Sequence, residues 1–90
     1  NRMHLTWNVA KNPKATTVSD THTHLMYAYS DDEGMTWKNS KGETLALPMT
    51  TENGEVVYME DPGVEAKRMF NGGYITLTAD QRPIVLNWSY

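Results

Sequence analysis

The segment Ser30–Trp37, with the sequence Ser-Asp-Asp-Glu-Gly-Met-Thr-Trp, constrains the fold of this 90-residue chain more than any other feature. A short carboxylate at Asp32 can accept hydrogen bonds from backbone N–H groups of its own turn, and Gly34 permits a backbone conformation that is costly for other residues. Trp37 can pack beneath the two strands that such a turn joins. The segment therefore predicts a tight corner between antiparallel strands.

The rest of the chain is typical of β-strands, because Thr occurs 11 times beside 5 Tyr and 3 Trp. In Arg2–Val9 apolar and polar residues alternate, which predicts one apolar face with His4 on the face opposite Trp7. We expect an exposed connection over 10–23 and one or two turns of helix over Val64–Phe70. The predicted strands are Arg2–Val9, His24–Ser30, Met35–Asn39, Thr44–Leu47, Val56–Met59, Tyr74–Thr78 and Pro83–Trp88.

The composition excludes several classes of protein. A net charge of −3 with scattered Lys and Arg argues against a nucleic-acid binder, which needs a concentrated basic face. No stretch approaches the roughly 20 apolar residues of a membrane-spanning helix, and the absence of Cys excludes a disulfide scaffold. The low apolar content argues against a sizeable independent core. The chain begins at Asn1 without a leader, so we expect any targeting segment to lie outside it.

The segment 30–37 also resembles the Asp-box of sialidase-type repeats, whose pattern is S-x-D-x-G-x-T-W. All five fixed positions of that pattern are present, at Ser30, Asp32, Gly34, Thr36 and Trp37. In such repeats the motif is a folding device, so the resemblance implies an architecture and says little about chemistry.

Most of the chain is similar to the BNR-repeat family that includes β-propeller polysaccharide lyases of the ulvan-lyase type. The matching features are the strand containing His4 and Trp7, the run Leu25–Ser30, and the G-x-x-L-x-L-P pattern of 42–48. The resemblance implies an all-β fold of antiparallel sheets, in which residues 1–90 form about one blade of a propeller and parts of its neighbours. It also implies a secreted or periplasmic location and a larger parent protein.

Lyases of this type cleave next to a uronic acid by β-elimination, which needs a base, an acid and a group that neutralises the sugar carboxylate. The resemblance implies that His4 and His24, which lie 20 residues apart, face one cleft as base and charge-neutralising group. It implies Tyr74 as the acid and His22 as a substrate-binding residue, with either His22 or His24 as the family counterpart.

Each of these residues also has a structural interpretation. Histidines near strand ends are often solvated, and a tyrosine in a strand usually packs, as we expect of Tyr27 and Tyr29. The acids at 31–33 fit the turn better than a calcium site or a glycosidase pair. Residues 22 and 24 form half of a zinc site without an evident third ligand, so we predict no metal and no cofactor.

Three functions compete. The leading prediction is a polysaccharide lyase acting on an acidic polysaccharide. A non-catalytic glycan-binding or scaffold propeller would share every structural motif. A sialidase-like glycoside hydrolase is the third, although Arg82-Pro83-Ile84 reverses the order expected of the Arg-Ile-Pro segment in that family. The sequence leaves the identity of the polysaccharide and the oligomeric state open.

Overall fold

The computed structural model describes residues 1–10, 22–59 and 74–87 of the chain. These residues form two antiparallel sheets and contain no helix, which confirms the all-β prediction. One sheet has the order β1-β2-β3, and the other pairs β4 with β5. The strands are β1 Met3–Ala10, β2 His22–Ser30, β3 Glu55–Met59, β4 Tyr74–Leu77 and β5 Pro83–Leu86. The assembly of such sheets into a propeller stays a prediction.

Strand β2 is the centre of the larger sheet and of the core. Its side chains are buried from Thr23 to Ser30 on both faces, and Leu45 is the buried apolar residue that the segment after β2 contributes among the described residues. In a strand that is covered on both faces, buried side chains follow one another without a polar, exposed residue at every second position. Few apolar side chains are thus fully buried in the part of the chain that the structure describes, which agrees with the low apolar content.

The register between β1 and β2 fixes which side chains share a face. Met3 pairs with Ser30, His4 with Tyr29 and Val9 with His24, before a bulge between Val9 and Ala10. Because paired residues of an antiparallel ladder point to the same side, His4 lies on the same face as Tyr27 and Tyr29. We call this side the tyrosine face.

The burial of β1 differs from the prediction. Its apolar alternation is present, but Met3 and Leu5 remain 45% and 37% exposed, whereas His4 and Thr6 on the tyrosine face are half-buried. The polar residues tolerate burial because they have partners: the Thr6 hydroxyl donates to the carbonyl oxygen of Met26 at 2.8 Å.

The predicted strands Met35–Asn39 and Thr44–Leu47 are wrong as strands. Lys38 makes one isolated bridge to Tyr29, with backbone N–O distances of 2.8 and 2.9 Å, and one to Thr44. The backbone turns at Asn39, whose side-chain oxygen accepts the N–H groups of Lys41 and Glu43. Local side-chain hydrogen bonds thus end the ladder after one residue.

The remaining predicted elements match with small shifts. Strand β2 begins at His22, two residues earlier than predicted, and β5 ends at Leu86, short of the predicted Trp88. The helical turn predicted for Val64–Phe70 and most of the connection predicted for 10–23 lie outside the described residues, as does Trp88.

The loop before β3 covers the other face of β2. Gly54 donates its N–H to the carbonyl oxygen of Thr50 at 2.8 Å. A Cβ at position 54 would lie 2.8 Å from that same oxygen and 2.9 Å from Cε of the fully buried Met26. The absence of a side chain at Gly54 therefore lets this loop approach the core.

We expect Gly54→Ala to lower the free energy of unfolding by about 1–3 kcal/mol, because the added methyl group overlaps a backbone oxygen that cannot rotate away. Urea denaturation of the full chain measures this. The exposed variant Lys41→Ala is the control and should change stability by less than about 0.5 kcal/mol. Equal stability of the Gly54 variant and the parent chain would contradict the close approach.

Candidate functional site

The turn after β2 is organised by the Asp32 carboxylate. Oδ1 accepts the backbone N–H of Thr36 and the hydroxyl of Ser30, each at 2.8 Å, and Oδ2 accepts the Thr36 hydroxyl at 2.6 Å. The Ser30 hydroxyl in turn accepts the N–H of Gly34 at 2.8 Å. Gly34 has a φ of 89°, which disfavours any residue with a side chain. A Cβ there would lie 3.6 Å from the Trp37 ring.

These hydrogen bonds lower the pKa of Asp32 to about 2, with the Thr36 hydroxyl as the largest cause. Hydrogen bonds to the charged form favour that form. A carboxylate that stays ionised and whose oxygens are already bound is a poor proton acceptor. Asp32 therefore has a structural role in this turn.

The tyrosine face carries a hydrogen-bonded pair. Nδ1 of His4 lies 2.7 Å from the hydroxyl oxygen of Tyr27, and the two rings stack at 30° with centroids 6.0 Å apart. Tyr27 is 5% exposed. Burial raises the pKa of its hydroxyl above the usual value of 10, so Tyr27 is neutral at physiological pH. The bond leaves Nε2 of His4 as the ring nitrogen that can meet a ligand.

Arg2 lies on the same face as His4, because residues two apart along an extended chain share a face. Its Nε and Nη2 bind the two carboxylate oxygens of Asp31 at 2.8 and 3.0 Å, while its Cζ lies 4.0 Å from the centroid of the Tyr29 ring. The hydrogen bond with Asp31 raises the pKa of Arg2, and the same bond lowers the pKa of Asp31. Bidentate pairing and stacking together fix the guanidinium.

These side chains open onto a cleft of about 450 Å³ that Asn1, Arg2, His4 and Gln81 line. We call it the His4 cleft. Gln81 has a φ of 67° and belongs to the turn between β4 and β5, so the second sheet supplies one wall. The cleft offers an imidazole, an arginine and amide groups, which suit hydrogen bonds to a polar, acidic ligand.

His24 does not share this cleft, and the expectation that His4 and His24 face one site is wrong. His24 pairs with Val9 and lies five positions along β2 from Tyr29, the partner of His4. Because five is odd, the two histidines point to opposite faces, about 17 Å apart along the strands. His24 is 9% exposed, and its Nδ1 lies 2.6 Å from the Thr23 hydroxyl.

The other two predicted site residues lie elsewhere. Tyr74 begins β4, is 66% exposed and pairs with Leu86, at the end of the hairpin opposite Gln81. That end approaches the far part of β1, where the Asn87 amide lies 3.5 Å from Asn8 Oδ1. His22 is the first residue of β2, and the structure describes its backbone but not its side chain.

Sequence reasoning missed Arg2 and Tyr27 as site residues. One signal for Arg2 was available, since positions 2 and 4 of a strand share a face. Tyr27 was interpreted as packing, and its buried ring does pack. Its contact with His4 depends on the β1–β2 register, which a single sequence does not give.

Among residues 1–10, 22–59 and 74–87, no group of three or more His, Asp or Glu side chains is arranged to hold a metal ion. The same residues include no helix with the length and apolar character needed to cross a membrane.

The comparisons with known proteins give one match. The family model described as BNR repeat-containing family member matches residues 1–90, the whole sequence. No curated protein and no solved structure matches the chain significantly.

We expect Asp32→Asn to destabilise the protein near neutral pH, since the amide cannot accept the Thr36 hydroxyl and carries no charge. The folded pKa of about 2 lies below the unfolded value of 3.8. The stability that Asp32 contributes is therefore complete above about pH 4 and is lost as the pH falls towards 2. The difference in Tm between parent and variant should shrink over that range. Glu33→Gln, in the same turn, is the control, and a constant difference would refute this role of Asp32.

We expect the two histidines to differ in their effect on stability. His24→Ala should cost about 2–4 kcal/mol, because it leaves a cavity and removes a partner of the fully buried Thr23. His4→Ala, at a half-buried position, should cost about 1 kcal/mol. Urea denaturation of both variants tests this, and equal losses would contradict the burial difference.

Proposed function

This chain belongs to the BNR repeat-containing family, and we propose that it is part of a secreted β-propeller polysaccharide lyase that cleaves uronate-containing glycans by β-elimination. Membership indicates a carbohydrate-related protein in general. The observation that supports the finer proposal is the hydrogen bond between His4 and Tyr27 at a cleft that also contains Arg2. Imidazole, phenol and guanidinium groups suit this reaction near neutral pH.

His4 is the proposed base. When its Nδ1 carries the proton and donates to Tyr27, Nε2 has a free lone pair and can accept the C5 proton of the uronate. The electron pair of that C–H bond then forms the C4=C5 double bond and expels the oxygen on C4, which takes a proton from an acid. Tyr27 fixes the orientation of the imidazole and is a positioning residue in this scheme.

Arg2 lines the same cleft as the proposed base and can neutralise the sugar carboxylate. Because Nε and Nη2 bind Asp31, an acidic sugar would bind through Nη1 or displace the aspartate. Stacking on Tyr29 holds the guanidinium in place for this contact. Neutralising the carboxylate makes the adjacent C–H more acidic, which the elimination requires.

The acid in this scheme is Tyr74, as the family resemblance implies. Its position at the far end of the β4–β5 hairpin from Gln81 means that a bound glycan would have to reach along the hairpin to meet it. His24 has no role in the proposed scheme, because it lies on the opposite face of the sheet.

A non-catalytic glycan-binding propeller is the second candidate, and the ion pair between Arg2 and Asp31 favours it. A guanidinium that is already paired leaves the His4 cleft with little net positive charge. Such a cleft can still bind sugar hydroxyl groups, whereas it activates a uronate C–H bond less strongly.

We expect the intact protein to release a product with the near-ultraviolet absorbance of a 4,5-unsaturated uronate from an acidic polysaccharide. His4→Ala should reduce this rate about 100-fold or more, the usual contribution of a general base. Tyr27→Phe should reduce it about tenfold and change the pH profile, since the imidazole loses its partner.

Tyr74→Phe tests the proposed acid separately. It should reduce the rate of product release without the change in pH profile that we expect of Tyr27→Phe. Tyr58→Phe, on β3 of the same sheet, is the matched control and should retain full activity. If the protein releases no unsaturated product from any acidic polysaccharide, the proposed lyase activity is refuted. Retained saccharide affinity in the absence of product would favour the glycan-binding function.

A further inference from the structure

The loop before β3 contains an Asn-Gly pair, at Asn53 and Gly54. In such a pair the backbone nitrogen of the glycine can attack Cγ of the asparagine, because the glycine has no Cβ to hinder the approach. The new N–C bond closes a succinimide ring and expels ammonia. Water then opens the ring to leave aspartate or isoaspartate, so the reaction needs no other reactant. Asn53 is exposed, and water therefore reaches it.

The structure ties the Asn53 amide back onto the preceding residues. Its Oδ1 accepts the backbone N–H of Thr50 at 2.7 Å, and its Nδ2 donates to the carbonyl oxygen of Pro48 at 3.2 Å. The backbone N–H of Asn53 donates to the Thr50 hydroxyl at 3.2 Å. Thr50 and Asn53 thus exchange two hydrogen bonds, in the reciprocal arrangement of a capping box. To react, the amide must leave these partners and turn towards the nitrogen of Gly54.

The attacking nitrogen is also held. The N–H of Gly54 donates to the carbonyl oxygen of Thr50 at 2.8 Å, which closes an α-turn over residues 50–54. The nucleophile in the ring closure is the deprotonated amide nitrogen, and an N–H in a hydrogen bond loses its proton less readily. Thr50 therefore binds both of the groups that react.

Packing explains why a reactive pair occupies this position. A Cβ at position 54 would lie 2.8 Å from the Thr50 carbonyl oxygen and 2.9 Å from Cε of the buried Met26, so the close approach needs a glycine. Asn53 supplies the acceptor and the donor that close the turn. The two residues that bring the loop against the core are thus the two that undergo the reaction.

We propose that Asn53 is a conditional deamidation site, protected while the turn over 50–54 is closed and reactive when the turn opens. The rate in the folded protein is then the rate of the open chain multiplied by the fraction of molecules in which the turn is open. This inference is independent of the proposed function.

The reaction also disfavours closing of the turn afterwards. Isoaspartate adds a methylene group to the main chain next to Gly54, where an added Cβ already has no room. Aspartate replaces the Nδ2 donor with an oxygen, which leaves the Pro48 carbonyl without this partner and facing a negative charge. Deamidation therefore records that the loop has opened.

The test measures deamidation of Asn53 in the intact chain by peptide mapping and mass spectrometry, at mildly alkaline pH, with and without guanidinium chloride. The folded chain should react at least about tenfold more slowly than the unfolded chain. A second Asn-Gly pair, at Asn71 and Gly72, lies outside the described residues and supplies a reference rate for the unfolded chain. Equal rates at Asn53 in the two conditions would overturn the proposal.

Thr50→Val removes the hydroxyl that accepts the Asn53 N–H and keeps the size of the side chain. With its fold checked by circular dichroism, this variant should deamidate at Asn53 about threefold faster or more, the effect of losing one hydrogen bond. Thr44→Val, at an exposed threonine outside the loop, is the matched control and should keep the parent rate. A folded Thr50→Val variant with the parent rate overturns the protective role of the turn.

Asn53→Asp supplies one product directly and should lower Tm relative to the parent chain. A variant as stable as the parent would overturn the effect of deamidation on closing of the turn. If Thr50→Val does not fold, the comparison of folded and unfolded parent chains decides the proposal, because it requires no substitution.

Discussion

Strand β2 must be covered on both faces and paired at both edges, and the rest of the described structure follows from that requirement. Its side chains from Leu25 to Tyr29 are all buried. One edge is paired with β1 along its length, and the other is shared between β3 and Lys38. A strand in this position leaves few backbone groups unpaired, which is why a chain with little apolar surface still holds a definite sheet.

The alternation of β2 distributes chemistry between the two sides of the sheet. Tyr27 and Tyr29 project to the side where β4 and β5 lie, and there they support His4 and Arg2. Met26 and His24 project to the other side, where the loop containing Gly54 closes over the sheet. A polar cleft and a buried core therefore form on opposite sides of one strand without competing for the same space.

The polar groups of the tyrosine face are fixed before any ligand arrives. Asp31 and the Tyr29 ring hold Arg2, Tyr27 holds His4, and Ser40 holds Glu55. Ordering such side chains in advance lowers the entropic cost of binding a flexible glycan. The same anchoring reduces the net positive charge near Arg2, because Asp31 pairs with the guanidinium.

The sequence by itself determined the features that depend on neighbours along the chain. Strand β1 follows from a period-two pattern, and the Asp32 turn follows from donors and acceptors within seven residues of one another. Only the tertiary structure decided which side chains meet. His4 and His24 are 20 residues apart in the sequence, but their faces depend on the β1–β2 register. A shift of one residue would have placed both histidines on the same face. Register is set by contacts between distant segments, and for that reason the Tyr27 partner of His4 and the hydrogen bonds between Ser40 and Glu55 could not be read from the sequence.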